Sequence, residues 1–395
     1  MDNVYLAKNW SVLNFGLVLN IAIAFGLSVI FAHFLDKEAY GQYKYILSVI
    51  SLLTIASLQS MDDLVAQATA QGNEGTIFLA LGTKLRWSLL GSAAALGLAF
   101  YYWFNHNNLL AGAFAATVPL LPIFANFSIY LAYLQGKKQF SKQITYSAIS
   151  QLVFSVAMAI TIVLTRNPLI LVATYLLSQA LARFFIFWYV IKKDRPNKNT
   201  DLGAIDFGKK LSLIDVLFSF SSNLDSIITF HYVGAAALAV YSFAFAPIVQ
   251  IRSVLKNLRV IALPKFAVRS SEEIKVSLVP RLMKLTLIIL VVIAVYFFAA
   301  PWIFKIFFPR YLDAINYTRW LSLSLLAFPA TMVPLVLQAK GLKKELYQSN
   351  FLLPFCRIVL MVALIPKFGL AGLIATELSM VVVSSVISWF YFSKI

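Results

Sequence analysis

Charged residues are scarce in this 395-residue chain. Lysine, arginine, aspartate and glutamate together make up 12% of it, against about 25% in a typical soluble domain. Hydrophobic residues make up 61%. This composition excludes a globular enzyme, with or without a membrane anchor, and indicates a polytopic membrane protein.

Cysteine is nearly absent, since Cys356 is the single example. One cysteine excludes an internal disulfide and gives no metal-site signature. The chain also lacks a nucleophile–base–acid constellation, a phosphate-cradling glycine loop and metal-ligand spacings. We therefore expect a protein that is not an enzyme, without catalytic residues, bound metal or cofactor, and we do not expect an ATP-driven pump.

Acidic residues are fewer than basic ones: the chain has 16 aspartates and glutamates and 33 lysines and arginines. The formal net charge of +17 would suggest a nucleic-acid partner in a soluble protein. Here the positive-inside rule and attraction to anionic lipid explain it first. No basic run with interleaved aromatic residues is present, so we predict no nucleic-acid partner.

Apolar runs long enough to cross a bilayer recur along the chain. The predicted spans are residues 11–33, 44–61, 87–104, 109–134, 144–165, 168–191, 211–231, 235–255, 284–304, 318–338, 349–366 and 370–391. With the N-terminus inside, 24 basic residues fall in inside loops and 7 in outside loops. This bias predicts twelve spans with both termini in the cytoplasm.

The polar segment 192–210 divides the chain almost in half. We predict an N-terminal six-helix bundle at 1–191, a cytoplasmic linker at 192–210 and a C-terminal six-helix bundle at 211–395. A shift of 198 residues places His33-Phe34-Leu35 on His231-Tyr232-Val233, which supports a repeat. The predicted fold is an all-α polytopic membrane protein with about 12 transmembrane helices, in two parallel-repeat bundles around a central cavity.

Residues 211–231 combine the length of a span with a polar stripe. On a helix, one side carries Ser212, Asp215, Ser219, Ser222, Asn223, Ser226 and Thr229, and Asp225 lies at its edge. Lipid cannot solvate such a stripe, so we expect it to line a cavity. The alternative is a helix that turns its serines toward neighbouring helices.

Several short motifs resemble one family. LDKEAYGQYKYILSVISLL at 35–53, LAYLQGKKQF at 131–140, SNLDSIITFHYVGAAALAVYSFA at 222–244 and KFGLAGLIATELS at 367–379 occur in its order and spacing. They resemble the polysaccharide flippases of the multidrug/oligosaccharidyl-lipid/polysaccharide exporter superfamily. The sequence departs from many relatives at Ser226, where they have a basic residue.

The resemblance implies a carrier in the bacterial inner membrane. Such carriers move undecaprenyl-pyrophosphate-linked oligosaccharide units, of O-antigen or capsule type, from the cytoplasmic to the periplasmic leaflet by alternating access. The implied partners are this lipid-linked glycan and the bilayer, together with a polysaccharide polymerase and a chain-length regulator.

A pyrophosphate head needs a hydrated, cationic path, because it cannot enter hydrocarbon. Arginine suits phosphate through its planar fork of donors. The candidate substrate-binding residues are Arg183 and Arg357 within spans, Arg86, Arg252 and Lys256 at the cytoplasmic mouth, and Gln151 for sugar hydroxyls. The alternatives are that the arginines and the glutamine fasten the bundle and that the mouth charges follow the positive-inside rule.

Carboxylates within spans suit ion coupling. Asp225, Asn223 and Glu377 are the candidates for holding H⁺ or Na⁺. Asp225 occurs in only one half, because the 198-residue shift places Leu27 on it. For Glu377 the alternative is a structural ion pair, with Arg357 as an available partner.

Two other functions remain open. An ion-coupled exporter of drugs or small cations from the same superfamily would prefer an acidic lumen. A membrane polysaccharide polymerase or ligase is expected to carry catalytic residues on a sizeable outside loop, and none of the predicted outside loops is that long.

The predicted topology can be tested with single cysteines in a Cys356→Ser background. Asn197→Cys lies in the predicted cytoplasmic linker and Asn107→Cys in a predicted outside loop. We expect an impermeant thiol reagent to label only Asn107→Cys in intact cells and both variants after permeabilisation. Labelling of both in intact cells contradicts the orientation.

Overall fold

A computed structural model describes residues 3–214, 216–268 and 270–393 of the protein. Regular structure in this part of the chain is helical, and none of these residues forms a strand. A helix pairs its own backbone N–H and C=O groups, as a segment surrounded by lipid must. The predicted all-α fold is therefore confirmed.

The chain forms two compact units, Met1–Ser219 and Phe220–Ile395. In the first unit the described helices are α1 (Asn3–Phe34), α2 (Lys37–Leu53), α3 (Met61–Ala70), α4 (Thr76–Phe104), α5 (Asn108–Asn126), α6 (Tyr130–Gly136), α7 (Phe140–Leu164), α8 (Pro168–Asp194) and α9 (Leu202–Ile214). Within this unit α4 packs on α5, α5 on α8, and α7 on α1 and α8.

The division between the units falls inside the next helix, α10 (Val216–Tyr232). The helices that follow are α11 (Ala235–Val268), α12 (Ser271–Phe307), α13 (Ala314–Ser322), α14 (Met332–Ala339) and α15 (Lys343–Phe392). Short 3₁₀ segments at Leu323–Ala327 and Pro329–Thr331 connect α13 to α14. Within the second unit α11 packs on α13 and α14, and α14 packs on α15.

In the described part of the chain, eight helical segments are long and apolar enough to cross a membrane. The number becomes nine if the bent pair Lys37–Ser57 and Met61–Ala70 is one span. One segment, Lys344–Phe392, covers two predicted spans, which a break at Gly369 (φ +58°) separates. Each of the twelve predicted spans overlaps a helix, so the count of about twelve agrees roughly with the structure.

The helix that follows the first connection is broken. After α2 the chain continues as a 3₁₀ turn, Thr54–Ser57, and Leu58 then takes a left-handed conformation with φ +52°. The second piece, α3, leaves this break at an angle of 48°. The N-terminal turn of α3 thus lies inside the first unit, where the backbone N–H groups of Met61 and Asp62 donate to the carbonyls of Leu58 and Gln59.

Glycines on two neighbouring helices allow a close approach to this broken helix. A Cβ atom at Gly91 of α4 would lie 2.6 Å from the carbonyl oxygen of Leu53. One at Gly136 of α6 would lie 2.4 Å from the carbonyl oxygen of Ala66. Real side chains do not tolerate such distances, so α4 and α6 reach the broken helix because these two residues are glycine.

The predicted linker 192–210 packs on the first unit. The side-chain amide of Asn197 donates to the Gly72 carbonyl at 2.8 Å, and the backbone N–H of Gly75 donates to the Asn199 carbonyl at 2.9 Å. α8 extends to Asp194 and α9 begins at Leu202, so only 195–201 lies outside helix. The segment therefore belongs to the first unit, Met1–Ser219.

Glu74 joins this segment to the rest of the first unit. Its carboxylate accepts hydrogen bonds from the Lys137 ammonium at 2.6 Å and from the Asn197 backbone N–H at 3.2 Å. Partial burial by itself raises the pKa of Glu74, but these two donors outweigh it and lower the pKa below its ordinary value. The ionised carboxylate therefore holds 195–201 against the α3–α4 connection.

Candidate functional site

Polar side chains inside the first unit surround a cavity of about 300 Å³. The broken helix, α4, α5, α8 and the 3₁₀ turn after α5 form its wall. Its polar lining consists of Ser51, Thr54, Gln59, Asp62, Lys84, Ser128, Tyr175 and Arg183. Its apolar lining consists of Leu47, Ile50, Phe124 and Ala125.

Arg183 on α8 is a predicted substrate-binding residue, and it lines this cavity. Its guanidinium donates to the carbonyl oxygen of Phe124 at 2.6 Å and lies 4.7 Å from the centre of the Phe124 ring. Within the described residues it forms no ion pair. The carbonyl and the ring hold the guanidinium in place, but they do not neutralise its charge.

Lys84 on α4 is a second cation of the cavity wall. Its side chain is 1% exposed, and its ammonium donates to the carboxylate of Asp62, which is 33% exposed. A buried ammonium needs such a partner, because desolvation of an unpaired charge is expensive. Asp62 lies in the first turn of α3, where the helix dipole favours a negative charge.

The cavity lining carries more positive than negative charge. Lys84 and Arg183 oppose the single carboxylate of Asp62 among the described lining residues. The N-terminal turn of α3 adds its partial positive charge to the same side. Hydroxyls and an amide complete the wall, with Gln59 donating to Thr54 at 2.9 Å. Chemically, this arrangement suits an anion with polar groups attached to it.

The second unit contains a different charged group, in which the charges balance. Arg357 contacts Glu377 at 2.8 Å and Asp225 at 3.6 Å, and Arg252 contacts Glu377 at 3.2 Å. We call these four residues the four-charge cluster. Two guanidiniums thus face two carboxylates.

Hydrogen bonds tie the four-charge cluster to its surroundings. The Tyr241 hydroxyl and the Ser226 backbone N–H donate to Asp225 at 3.0 and 2.6 Å. Arg252 donates to the Ser324 hydroxyl at 2.7 Å. The cluster therefore joins α10, α11 and α15 to the turn before α14, as expected of the bundle-fastening role that the sequence left open for Arg357 and Glu377. Arg252, predicted at the cytoplasmic mouth, belongs to this cluster.

Four other predicted site residues are neither lining residues of the first-unit cavity nor members of the four-charge cluster. Arg86 on α4 and Lys256 on α11 are exposed. Gln151 is half-buried on α7, and Asn223 is half-buried on α10. None of these four lines the first-unit cavity. Asp215 of the predicted stripe lies outside the described residues.

The polar stripe at 211–231 is not buried along its whole length. Ser222, predicted in the stripe, is exposed, whereas Ser221, outside it, and Asp225, at its edge, are buried. The buried side of α10, with Ser221, Asp225, Ile228 and Thr229, thus differs from the predicted polar stripe.

Lys84 was not predicted as a site residue, because the predicted span 87–104 leaves it in the inside loop before that span. α4 begins at Thr76, earlier than the predicted span, so Lys84 lies within a helix. Thr76, Ala80, Lys84 and Ser88 follow one another at intervals of four residues, and all four are buried. This spacing is the signal that would have placed Lys84 on an inward helix face.

A family model described as "Polysaccharide biosynthesis protein" matches residues 6–267. No curated protein matches the chain significantly. The family match spans the first unit from residue 6 onward and the beginning of the second, including every residue of the cavity lining.

Solved structures with the same fold are transporters. A crystal structure of MATE in complex with MaD5 has a TM-score of 0.66 and 14% identity, covering 99% of this chain and 95% of that one. The lipid II flippase MurJ, in an inward closed conformation, has a TM-score of 0.64 and 13% identity, covering 98% and 86%. A MOP superfamily transporter from Pyrococcus furiosus has a TM-score of 0.58 and 14% identity, covering 99% and 94%. At such identities the likeness shows the fold alone, and it agrees with the predicted all-α polytopic fold.

The fastening role of the four-charge cluster predicts a stability effect. Arg357→Ala leaves two buried carboxylates short of a partner, and Glu377→Ala does the same to two guanidiniums. Removing one partner of a buried ion pair costs about 3–5 kcal/mol, so each variant should unfold at a lower temperature in detergent. The double variant should lose less than the sum of the two.

Arg281→Ala, at an exposed position on α12, is the matched control and should melt like the parent. Parent-like melting of both single cluster variants would show that the cluster does not fasten the second unit.

Proposed function

The chain belongs to the polysaccharide biosynthesis protein family, and from that membership we propose that it flips a lipid-linked oligosaccharide across a membrane. The proposed cargo is an undecaprenyl-pyrophosphate-linked unit of O-antigen or capsule type. It moves from the cytoplasmic to the periplasmic leaflet of a bacterial inner membrane by alternating access, and both termini of the carrier lie in the cytoplasm. A polysaccharide polymerase and a chain-length regulator are the proposed downstream partners.

The excess positive charge of the first-unit cavity is the observation that carries this proposal. Pyrophosphate cannot cross hydrocarbon without donors that replace its water. Arg183 offers a guanidinium that forms no ion pair among the described residues, although the charge of Asp62 acts on it, and Lys84 offers an ammonium. Charge-assisted hydrogen bonds from such groups are about twice as strong as neutral ones.

The size of the cavity limits which part of the cargo it holds. Its volume of about 300 Å³ lies at the lower end of the range of roughly 300–1,000 Å³ for ligand pockets. That space suits a pyrophosphate and the sugar next to it, whose hydroxyls can bond to Ser51 and Gln59. The rest of the glycan requires other space, and the lipid tail can stay in the bilayer.

The alternative functions fit these observations less well. An exporter of cationic drugs would have to bind its cargo against the excess positive charge of this cavity. A polymerase or ligase needs a sizeable loop for its catalytic residues. Within the described residues, the longest connection outside helix is 195–201, and it packs on the first unit.

Ion coupling at Asp225, Asn223 and Glu377 is a separate part of the proposal. Asp225 lies 3.6 Å from Arg357, which also contacts Glu377. A proton or Na⁺ on Asp225 would weaken its attraction to Arg357. Occupancy of this site would therefore act on the contact between α10 and α15.

Arg183 provides the test of the cavity. Arg183→Ala should lose most flipping of an undecaprenyl-pyrophosphate-linked oligosaccharide in proteoliposomes, because a hydrogen bond to a charged group is worth about 1.5–3 kcal/mol. Arg183→Lys keeps the charge without the planar fork and should retain part of the activity. Arg183→Ala also loses the hydrogen bond to the Phe124 carbonyl, so its melting temperature should fall, and flipping is compared per amount of folded protein.

Arg166→Ala, an exposed position between α7 and α8, serves as the control for loss of a positive charge. Normal flipping by a well-folded Arg183→Ala variant would remove Arg183 from the cargo path.

Asp225→Asn tests ion coupling. The amide keeps the shape of the side chain and mimics its neutral state, so the variant should fold, move cargo and lose its response to an imposed pH or Na⁺ gradient. Asp206→Asn, an exposed position on α9, should respond like the parent. If Asp225→Asn also responds like the parent, the coupling residue lies elsewhere. If the parent itself ignores both gradients, the carrier is uncoupled.

A further inference from the structure

Asp62 is the one carboxylate among the described residues that line the first-unit cavity, and it faces the surface on which we place the cargo phosphates. We propose that Asp62 is an internal competitor of the cargo: its carboxylate binds the Lys84 ammonium when the cavity is empty and is displaced by pyrophosphate. This inference rests on the proposed function and assigns to Asp62 the control of cargo release.

The unequal burial of the pair supports an exchange of partners. The Lys84 side chain is 1% exposed, so its ammonium cannot leave the wall and must be paired where it lies. The Asp62 side chain is 33% exposed, so its carboxylate has open space on the cavity side. A phosphate oxygen can therefore take the place of the carboxylate oxygen without leaving the buried ammonium unpaired.

The displaced carboxylate has a favourable place to go. Asp62 lies in the first turn of α3, which begins at the break in the helix. The positive end of the helix dipole stabilises a carboxylate there, whether or not it contacts Lys84. Asp62 can therefore give up the ammonium while it keeps part of its stabilisation.

Charge determines the consequence for transport. An ionised Asp62 beside the cargo repels the phosphates and weakens their binding. A carrier needs that weakness, because a cargo held by Lys84 and Arg183 with nothing to oppose them would leave slowly. Asp62 therefore sets the balance between affinity and turnover.

A purely structural Asp62 leads to the opposite expectation. If Asp62 only satisfies Lys84, its replacement leaves an unpaired buried ammonium, lowers stability and adds nothing to phosphate affinity. Affinity for pyrophosphate and the rate of release distinguish the two roles, since only a competitor makes binding stronger when it is removed.

The test uses the full chain, purified in detergent, with inorganic pyrophosphate as the titrated probe. Asp62→Asn removes the repulsion of one charge at contact distance, and we expect it to bind pyrophosphate about tenfold more tightly or better than the parent. In proteoliposomes with saturating lipid-linked oligosaccharide, the same variant should flip more slowly per turnover. Asp63→Asn, the next residue and outside the cavity lining, should match the parent in both measurements.

A second pair of variants keeps the test valid if Asp62→Asn does not fold. Lys84→Gln removes the buried charge, so Asp62 then acts on the cargo through repulsion alone. We expect Lys84→Gln with Asp62→Asn to bind pyrophosphate more tightly than Lys84→Gln, by a smaller factor than Asp62→Asn gains over the parent, because only the repulsion is removed.

The outcomes separate the inference from the proposed function. Tighter binding after removal of Asp62, in either background, supports the competitor role. Equal or weaker binding in folded variants, while the parent binds pyrophosphate, overturns it and leaves the proposed function intact. If neither the parent nor any variant binds pyrophosphate, the phosphate site itself is wrong and the inference ends with it.

Discussion

An ionised side chain at the centre of a spanning helix costs about 2.5–3.5 kcal/mol even on the lenient insertion scale. The second unit offsets that cost by ion pairing, because Arg252 and Arg357 pair with Glu377 and Asp225 in the four-charge cluster. The first unit does so only in part. Lys84 has Asp62, whereas Arg183 has a carbonyl oxygen and an aromatic ring. The lining of the first-unit cavity therefore keeps an excess of positive charge, which suits an anion.

Much of the architecture could be predicted from the sequence because the length of an apolar run is a local property. Each predicted span overlaps a helix, and the break at Gly369 falls between the last two of them. The site was partly predictable for the same reason. An arginine within an apolar run, such as Arg183 or Arg357, is conspicuous without any knowledge of its neighbours.

The pairing of charges could not be predicted, because it depends on contacts between distant segments. Arg357 and Arg183 look alike in sequence, yet the first lies among carboxylates and the second does not. Lys84 was hidden because α4 begins earlier than its hydropathy suggested. The sequence of 195–201 predicts a free linker, since its hydrogen bonds are to Gly72 and Glu74, more than a hundred positions away in the sequence.

The two close glycine contacts on the broken helix limit how far the wall of the first-unit cavity can move when a ligand binds. Gly91 and Gly136 bring α4 and α6 against the backbone carbonyls of Leu53 and Ala66, on both sides of the break, and leave no room there for a larger side chain. The recess is thus preorganised: its donors stand in place before a ligand arrives, and binding orders little of the protein. A motion that opens the recess must then carry α2, α3, α4 and α6 together as one block. Selectivity in such a recess comes from its shape and from desolvation, because the walls cannot adjust to a poorer fit.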